Sequence, residues 1–194
     1  MRKLILALGS AFIALTGAIA GTPAWTLDQA HSNITFSIQH MVISEVTGSF
    51  KDFAINLHSS KDDFGDAAIE ATINVNSINT ENDRRDGHLR TDDFFNAEKF
   101  PTIKFRSTSF EKIGDRHYAV KGMLTIRDTT KEVTVDAVLN GIISSGTGER
   151  AGWKCTFSIN RFDYGLRWNQ TIETGGLIAG ATVTILFNLE FVKG

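Results

Sequence analysis

One cysteine, two prolines and no surplus of basic charge exclude several classes of protein at once. A lone thiol, Cys155, cannot close an intrachain disulfide, so packing must hold the fold. Cys155 stands in the alternating run Trp153, Cys155, Phe157, Ile159, which reads it as a small inward-facing apolar residue rather than a reactive thiol. The 20 Lys and Arg against 22 Asp and Glu give a formal charge of −2. Nucleic-acid binding needs a basic stripe and finds no support here. Beyond residue 20 no apolar run is long enough to span a bilayer, so no stable membrane insertion is expected. The chain also lacks HxH, HExxH and CxxC spacings, a GxSxG elbow and a GxGxxG turn. No metal, no cofactor and no catalytic residue is therefore expected. Asp62-Asp63 and Asp92-Asp93 are adjacent pairs in turns and cannot flank a bond from two sides.

What is present begins with a leader. Arg2 and Lys3 precede an apolar run from Leu4 to Ile19, and Ala18-Ile19-Ala20 forms an A-x-A site. This pattern predicts a signal peptide over residues 1–20 and a single domain over 21–194, acting outside the cytoplasm, in the periplasm of a Gram-negative source. The domain alternates. Ile34, Phe36, Ile38 and His40 share one phase, as do Ile69, Ala71, Ile73 and Val75. The pattern returns at Ile103/Phe105, Tyr118/Val120, Leu124/Ile126, Val133/Val135, Trp153–Ile159 and Val183–Phe191. Period-two alternation predicts strands with one buried face, and so many of them predict an all-β sandwich or closed antiparallel barrel.

One charged island interrupts this pattern. From Thr80 to Phe105 the chain reads TENDRRDGHLRTDDFFNAEKFPTIKF. Thr80 is the expected N-cap of a helix of about two turns over 82–90, with Asp83 near its positive end. Thr91-Asp92-Asp93 predicts a second cap leading Phe94-Phe95 into a short helical turn. Pro101 closes the segment. Across the end of a barrel, such a segment places Arg85, Asp86 and His88 at a rim.

The chain resembles the YceI-like family of exported lipid-binding proteins. The resemblance rests on Trp25-Thr26-Leu27-Asp28 with His31-Ser32, Phe36-Ser37-Ile38-Gln39-His40, Gly48-Ser49-Phe50 and Ser77-Ile78-Asn79-Thr80. Its strongest piece is Arg85-Asp86-Gly87-His88-Leu89-Arg90-Thr91-Asp92-Asp93-Phe94-Phe95, followed by Lys99-Phe100-Pro101. Gly122-Met123-Leu124-Thr125-Ile126, Thr130-Lys131 and Asn160–Gly165 complete it. Asp128 departs from the pattern, which often has glycine there. The resemblance implies an antiparallel eight-stranded lipocalin-like β-barrel with short helices capping one end. It implies a non-catalytic carrier or store of a long isoprenoid, quinone-like or fatty lipid.

Phe36, Ile38, Ile73, Phe105 and Phe157 are expected to line the cavity, being on alternating strand faces, or else to be ordinary core. His40, Arg85, Asp86 and His88 are candidates for the ligand's polar head, and Tyr164 and Trp168 for amphipathic gates. A rim salt bridge of Arg161 or Asp163 is the plainer expectation for that pair. Two other readings stay open. One is an enzyme of isoprenoid or quinone metabolism using His40 or His88 as acid–base group. The other is an envelope-stress module whose barrel is filled by its own side chains. The apolar strand ending at Phe191 could form a homodimer edge.

Overall fold

A computed structural model describes residues 24–193 apart from 147, 172 and 174; the expected leader lies outside the described residues. Among the described residues eleven strands form one sheet. They are β1 (Ala24–Leu27), β2 (Asn33–His40), β3 (Ser44–Phe50), β4 (Phe53–His58), β5 (Ala68–Asn74), β6 (Ile78–Asn79), β7 (Thr102–Gly114), β8 (His117–Ile126), β9 (Thr129–Ser145), β10 (Gly148–Asn160) and β11 (Ala179–Lys193). One helix, α1 (Asp83–Arg90), joins β6 to β7. Pairing runs antiparallel through β1-β4-β5-β7-β8-β9-β10-β11, and β11 returns to β1. That ring of eight strands is the expected closed barrel.

The ring is extended toward one end. β2 pairs with the first part of β11 while β1 pairs with its last residues. β3 continues on β2, and β6 on β3. Alternation drives this arrangement: β8 buries Tyr118, Val120, Leu124 and Ile126 in one phase. β3 and β4 are strands that the alternating segments named above do not include.

The other end is plugged. The β4–β5 connection carries Phe64, fully buried, between Trp25 at 5.3 Å and Trp153 at 5.0 Å between ring centroids. Tyr118 donates its hydroxyl to the Asp63 carbonyl at 2.9 Å and fixes the same loop. Asp66 clasps it further, accepting from the Ser59 hydroxyl at 2.7 Å and from the hydroxyl of Ser60. Those hydroxyls, Ser60 first, hold the Asp66 carboxyl well below its ordinary range.

Candidate functional site

Inside the barrel is a cavity of ≈ 310 Å³, within the size range of small-molecule sites. Its wall is drawn from β2, β3, β4, β5, β7, β8, β9, β10 and β11, and its mouth from α1 and the two loops after α1 and β10. The interior is therefore not filled by its own side chains. Phe36, Ile38, Ile73, Phe105 and Phe157 all line it. So do residues the sequence reading did not single out, among them Phe50, Phe95, Phe110 and Phe187. Phe187 stacks on Phe157 with centroids 6.1 Å apart. It lies in phase with Val183 and Ile185, and that phase is the signal that points to it. Cys155 also faces the cavity, and burial pushes its thiol up to about 12. It stays protonated and behaves as an apolar wall residue.

The polar lining gathers at the mouth. Asn82, not Thr80, caps α1: its Oδ1 accepts from the Arg85 amide at 3.0 Å. Thr80 is instead buried, and its carbonyl and hydroxyl are both claimed. Arg85 donates Nε to Thr80 Oγ1 at 2.7 Å and Nη2 to the Thr80 carbonyl at 2.7 Å. Asp86 accepts from the Thr80 amide at 2.9 Å and its hydroxyl at 2.6 Å. Arg85 and Thr80 line the cavity, whereas Asp86 does not; its carboxylate is turned onto Thr80, and the residue is 5 % exposed. Phe94 and Phe95 lie in turns rather than in the expected second helical turn. A bond from the Phe95 amide to the Leu89 carbonyl at 3.1 Å folds them back onto α1.

His88 reaches Asp93 at 2.8 Å and meets Phe94 and Trp168 edge-on, at 5.1 and 5.5 Å. His88 and Trp168 line the cavity, as does His40. Tyr164 does not: it is 2 % exposed, and burial raises its phenol. The expected gate at that position is thus a residue packed beneath the rim.

Arg161 makes no ion pair with a carboxylate among the described residues. Its guanidinium donates to four backbone carbonyls: Gly180 at 2.7 Å, Leu166 at 2.7 Å, Trp168 at 2.8 Å and Ala179 at 2.9 Å. Buried to 2 % exposure and lining the cavity, it is desolvated, which lowers its pKa. Asp163 pairs instead with Lys131 at 3.5 Å. The 3-10 turn Arg161–Tyr164 ends at Gly165 in the left-handed region, and the returning loop presents the carbonyls of Leu166 and Trp168 to Arg161 while the start of β11 presents those of Ala179 and Gly180.

One group among the described residues has metal-like geometry, Asp28, His31 and Glu190. Arg150 Nη1 already bridges it, donating to Asp28 at 2.9 Å and Glu190 at 2.6 Å. It supplies the positive charge that a cation would bring.

Comparison with known proteins agrees with this geometry. The model of the YceI-like domain matches residues 25–191. A UPF0312 protein of Staphylococcus aureus is 38 % identical over 169 residues, covering 86 % of this chain and 96 % of that protein. The YCEI protein of Campylobacter jejuni superposes with a TM-score of 0.70 at 26 % identity, over 96 % of this chain and 99 % of that one. A polyisoprenoid binding domain from Saccharophagus degradans shares the fold with a TM-score of 0.67 at 17 % identity, over 90 % of this chain and all of that one.

Proposed function

We propose that this chain, which belongs to the YceI-like family, is a non-catalytic binding protein that takes a long isoprenoid or fatty chain into its barrel. The observation that carries the reading is the cavity itself: apolar residues on nine strands, with polar residues confined to the mouth. Each Å² of apolar ligand surface withdrawn from water there gains about 25 cal/mol before the costs of association. A neighbour of the same fold is named as a polyisoprenoid binding domain, which supports an isoprenoid as the first candidate, a quinone tail included. The expected leader over 1–20 makes action outside the cytoplasm, as a carrier or store in the periplasm, part of the same reading.

The cavity argues against a barrel filled by its own side chains. The test is native mass spectrometry of the exported protein, followed by organic extraction. A stoichiometric long-chain lipid is the expected result. A bare mass, with no uptake of long-chain isoprenoids or fatty acids when these are offered, would sink the proposal.

A further inference from the structure

We infer that the captured chain ends in an oxyanion, a carboxylate or a phosphate, received at the cavity mouth by Arg85. The inference rests on the lipid-binding reading above. It starts from the charges that line the cavity. Arg85 and Arg161 are there, with the imidazoles of His40 and His88, and no aspartate or glutamate among the described residues lines it.

These groups share one rim. His40 pairs with Ala179 across β2 and β11. The Ala179 carbonyl accepts from Arg161, and so does that of Trp168. The Trp168 ring abuts His88, and His88 stands three residues after Arg85, on the same face of α1.

The counter-charges do not balance. His88 is matched by Asp93 at 2.8 Å. Arg161 is met by four neutral carbonyls and by the Phe162 ring, whose centroid lies 4.2 Å from its guanidinium carbon. Arg85 has no carboxylate within 4.0 Å among the described residues, since its neighbour Asp86 is committed to Thr80. Nε and Nη2 of Arg85 grip Thr80, and Nη1 has no partner among the described residues. A guanidinium thus offers unused donors at the edge of an apolar cavity.

Arg85 is half-buried, and a cation partly withdrawn from water at an apolar edge gains from an opposing charge. A neutral head, whether alcohol, amide or quinone carbonyl, accepts a hydrogen bond but leaves that charge standing. An oxyanion accepts from the guanidinium fork and neutralises it. The tail's apolar wall and the head's cationic rim then select one amphiphile: long, apolar along its length and acidic at one end.

The experiment compares heads at constant tail. Delipidated protein is titrated with hexadecanoate against hexadecanol, and with geranylgeranyl phosphate against geranylgeraniol. The expected result is a preference of about tenfold or more for the acidic member of at least one pair, equivalent to about 1.4 kcal/mol. Which pair shows it identifies the head as carboxylate or phosphate. In Arg85→Gln the acid-to-alcohol ratio falls toward one, and Arg85→Lys restores part of it. If Arg85→Gln fails to fold, the ratio is read in Arg85→Lys alone, where losing the fork must still lower it.

Equal affinity for acid and alcohol in the wild type would overturn the inference while leaving lipid capture intact. So would an acid-to-alcohol ratio unchanged by Arg85→Gln, which would leave Arg85 only its grip on Thr80. Failure of all four probes to bind would overturn the lipid-binding reading, and this inference with it.

Discussion

Gly122 has room for a hydrogen and nothing larger. A Cβ there would stand 2.4 Å from Phe105 Cζ and 2.6 Å from the Arg106 carbonyl oxygen. The ring can turn, but the carbonyl belongs to the β7–β8 pairing and cannot. Gly48 plays the matching part across the barrel, where a Cβ would meet Phe36 Cζ at 2.4 Å. Two glycines thus seat two cavity phenylalanines by letting the rings lie flat over the neighbouring backbone. Gly122→Ala is predicted to destabilise the fold by about 1–3 kcal/mol, the ordinary range for overpacking, as a lower urea midpoint. An unchanged midpoint would mean that β7 yields at Arg106. Both glycines belong to the motif pieces Gly48-Ser49-Phe50 and Gly122-Met123-Leu124, but their purpose was not legible there. Phe36 and Gly48 face each other only once β2 and β3 pair.

At the scale of elements, the segment from α1 to Pro101 is a cover held by a few long side chains. Arg90 anchors its start, donating to the carbonyls of Ile78 at 2.9 Å and Asn76 at 3.2 Å. Arg127, in the β8–β9 turn at φ 56°, holds its far side. Its Nη1 reaches the carbonyls of Phe94 at 3.0 Å, Gly165 at 3.0 Å and Asp92 at 3.3 Å. The left-handed residue of that turn is therefore Arg127, and Asp128 takes no left-handed φ. Arg127→Ala is predicted to loosen the cover locally. The amides of Asn96 and Ala97, bonded to Thr91 and Arg90, should exchange with solvent about tenfold faster, equivalent to about 1.4 kcal/mol. The β8–β9 pairing should keep its protection. Unchanged exchange at 96 and 97 would show that the turns hold themselves.

The same scale explains what was readable beforehand. β2, β5, β8, β10 and β11 were legible because alternation is a property of the strand alone. β3 (SEVTGSF) has few apolar residues to alternate, because Gly48 leaves its space to Phe36. The plug was hidden because Phe64 is buried by Trp25 and Trp153, which only the closed barrel brings together. Both Thr80 and Asn82 can cap a helix, and the choice of Asn82 goes with the claims that Arg85 and Asp86 of α1 make on Thr80. Arg161 reads as one half of a salt bridge because its four carbonyl partners, two from the following loop and two from the start of β11, converge on it only through a return path that no local pattern reveals.

For the whole molecule, closure of the barrel is the weak point, because among the described residues β1 meets β11 over Trp25–Leu27 alone. Asp28 extends that seam. Its amide donates to the Glu190 carbonyl at 2.8 Å, and its carboxylate takes bonds from His31 at 3.1 Å and Arg150 at 2.9 Å. Those partners, His31 first and then Arg150, lower the Asp28 carboxyl from 3.8 to about 2. A carboxyl that binds its proton less readily when folded contributes stability that is complete above its unfolded pKa. That contribution is lost as pH falls through the folded value. The wild-type denaturation midpoint should therefore hold above about pH 4 and fall between about 4 and 2. Asp28→Asn should start lower at neutral pH and fall less over the same window. Some slope will persist, because Asp66 in the plug is shifted in the same direction. Identical acid profiles for the two proteins would show that the seam does not depend on this charge. The seam and the mouth stand at opposite ends of β11, with Phe191 at one and Ala179 at the other, about 40 Å of strand apart. Acid weakening of closure is thus expected to leave the rim residues Arg85, His88 and Arg161 in place until the barrel itself opens.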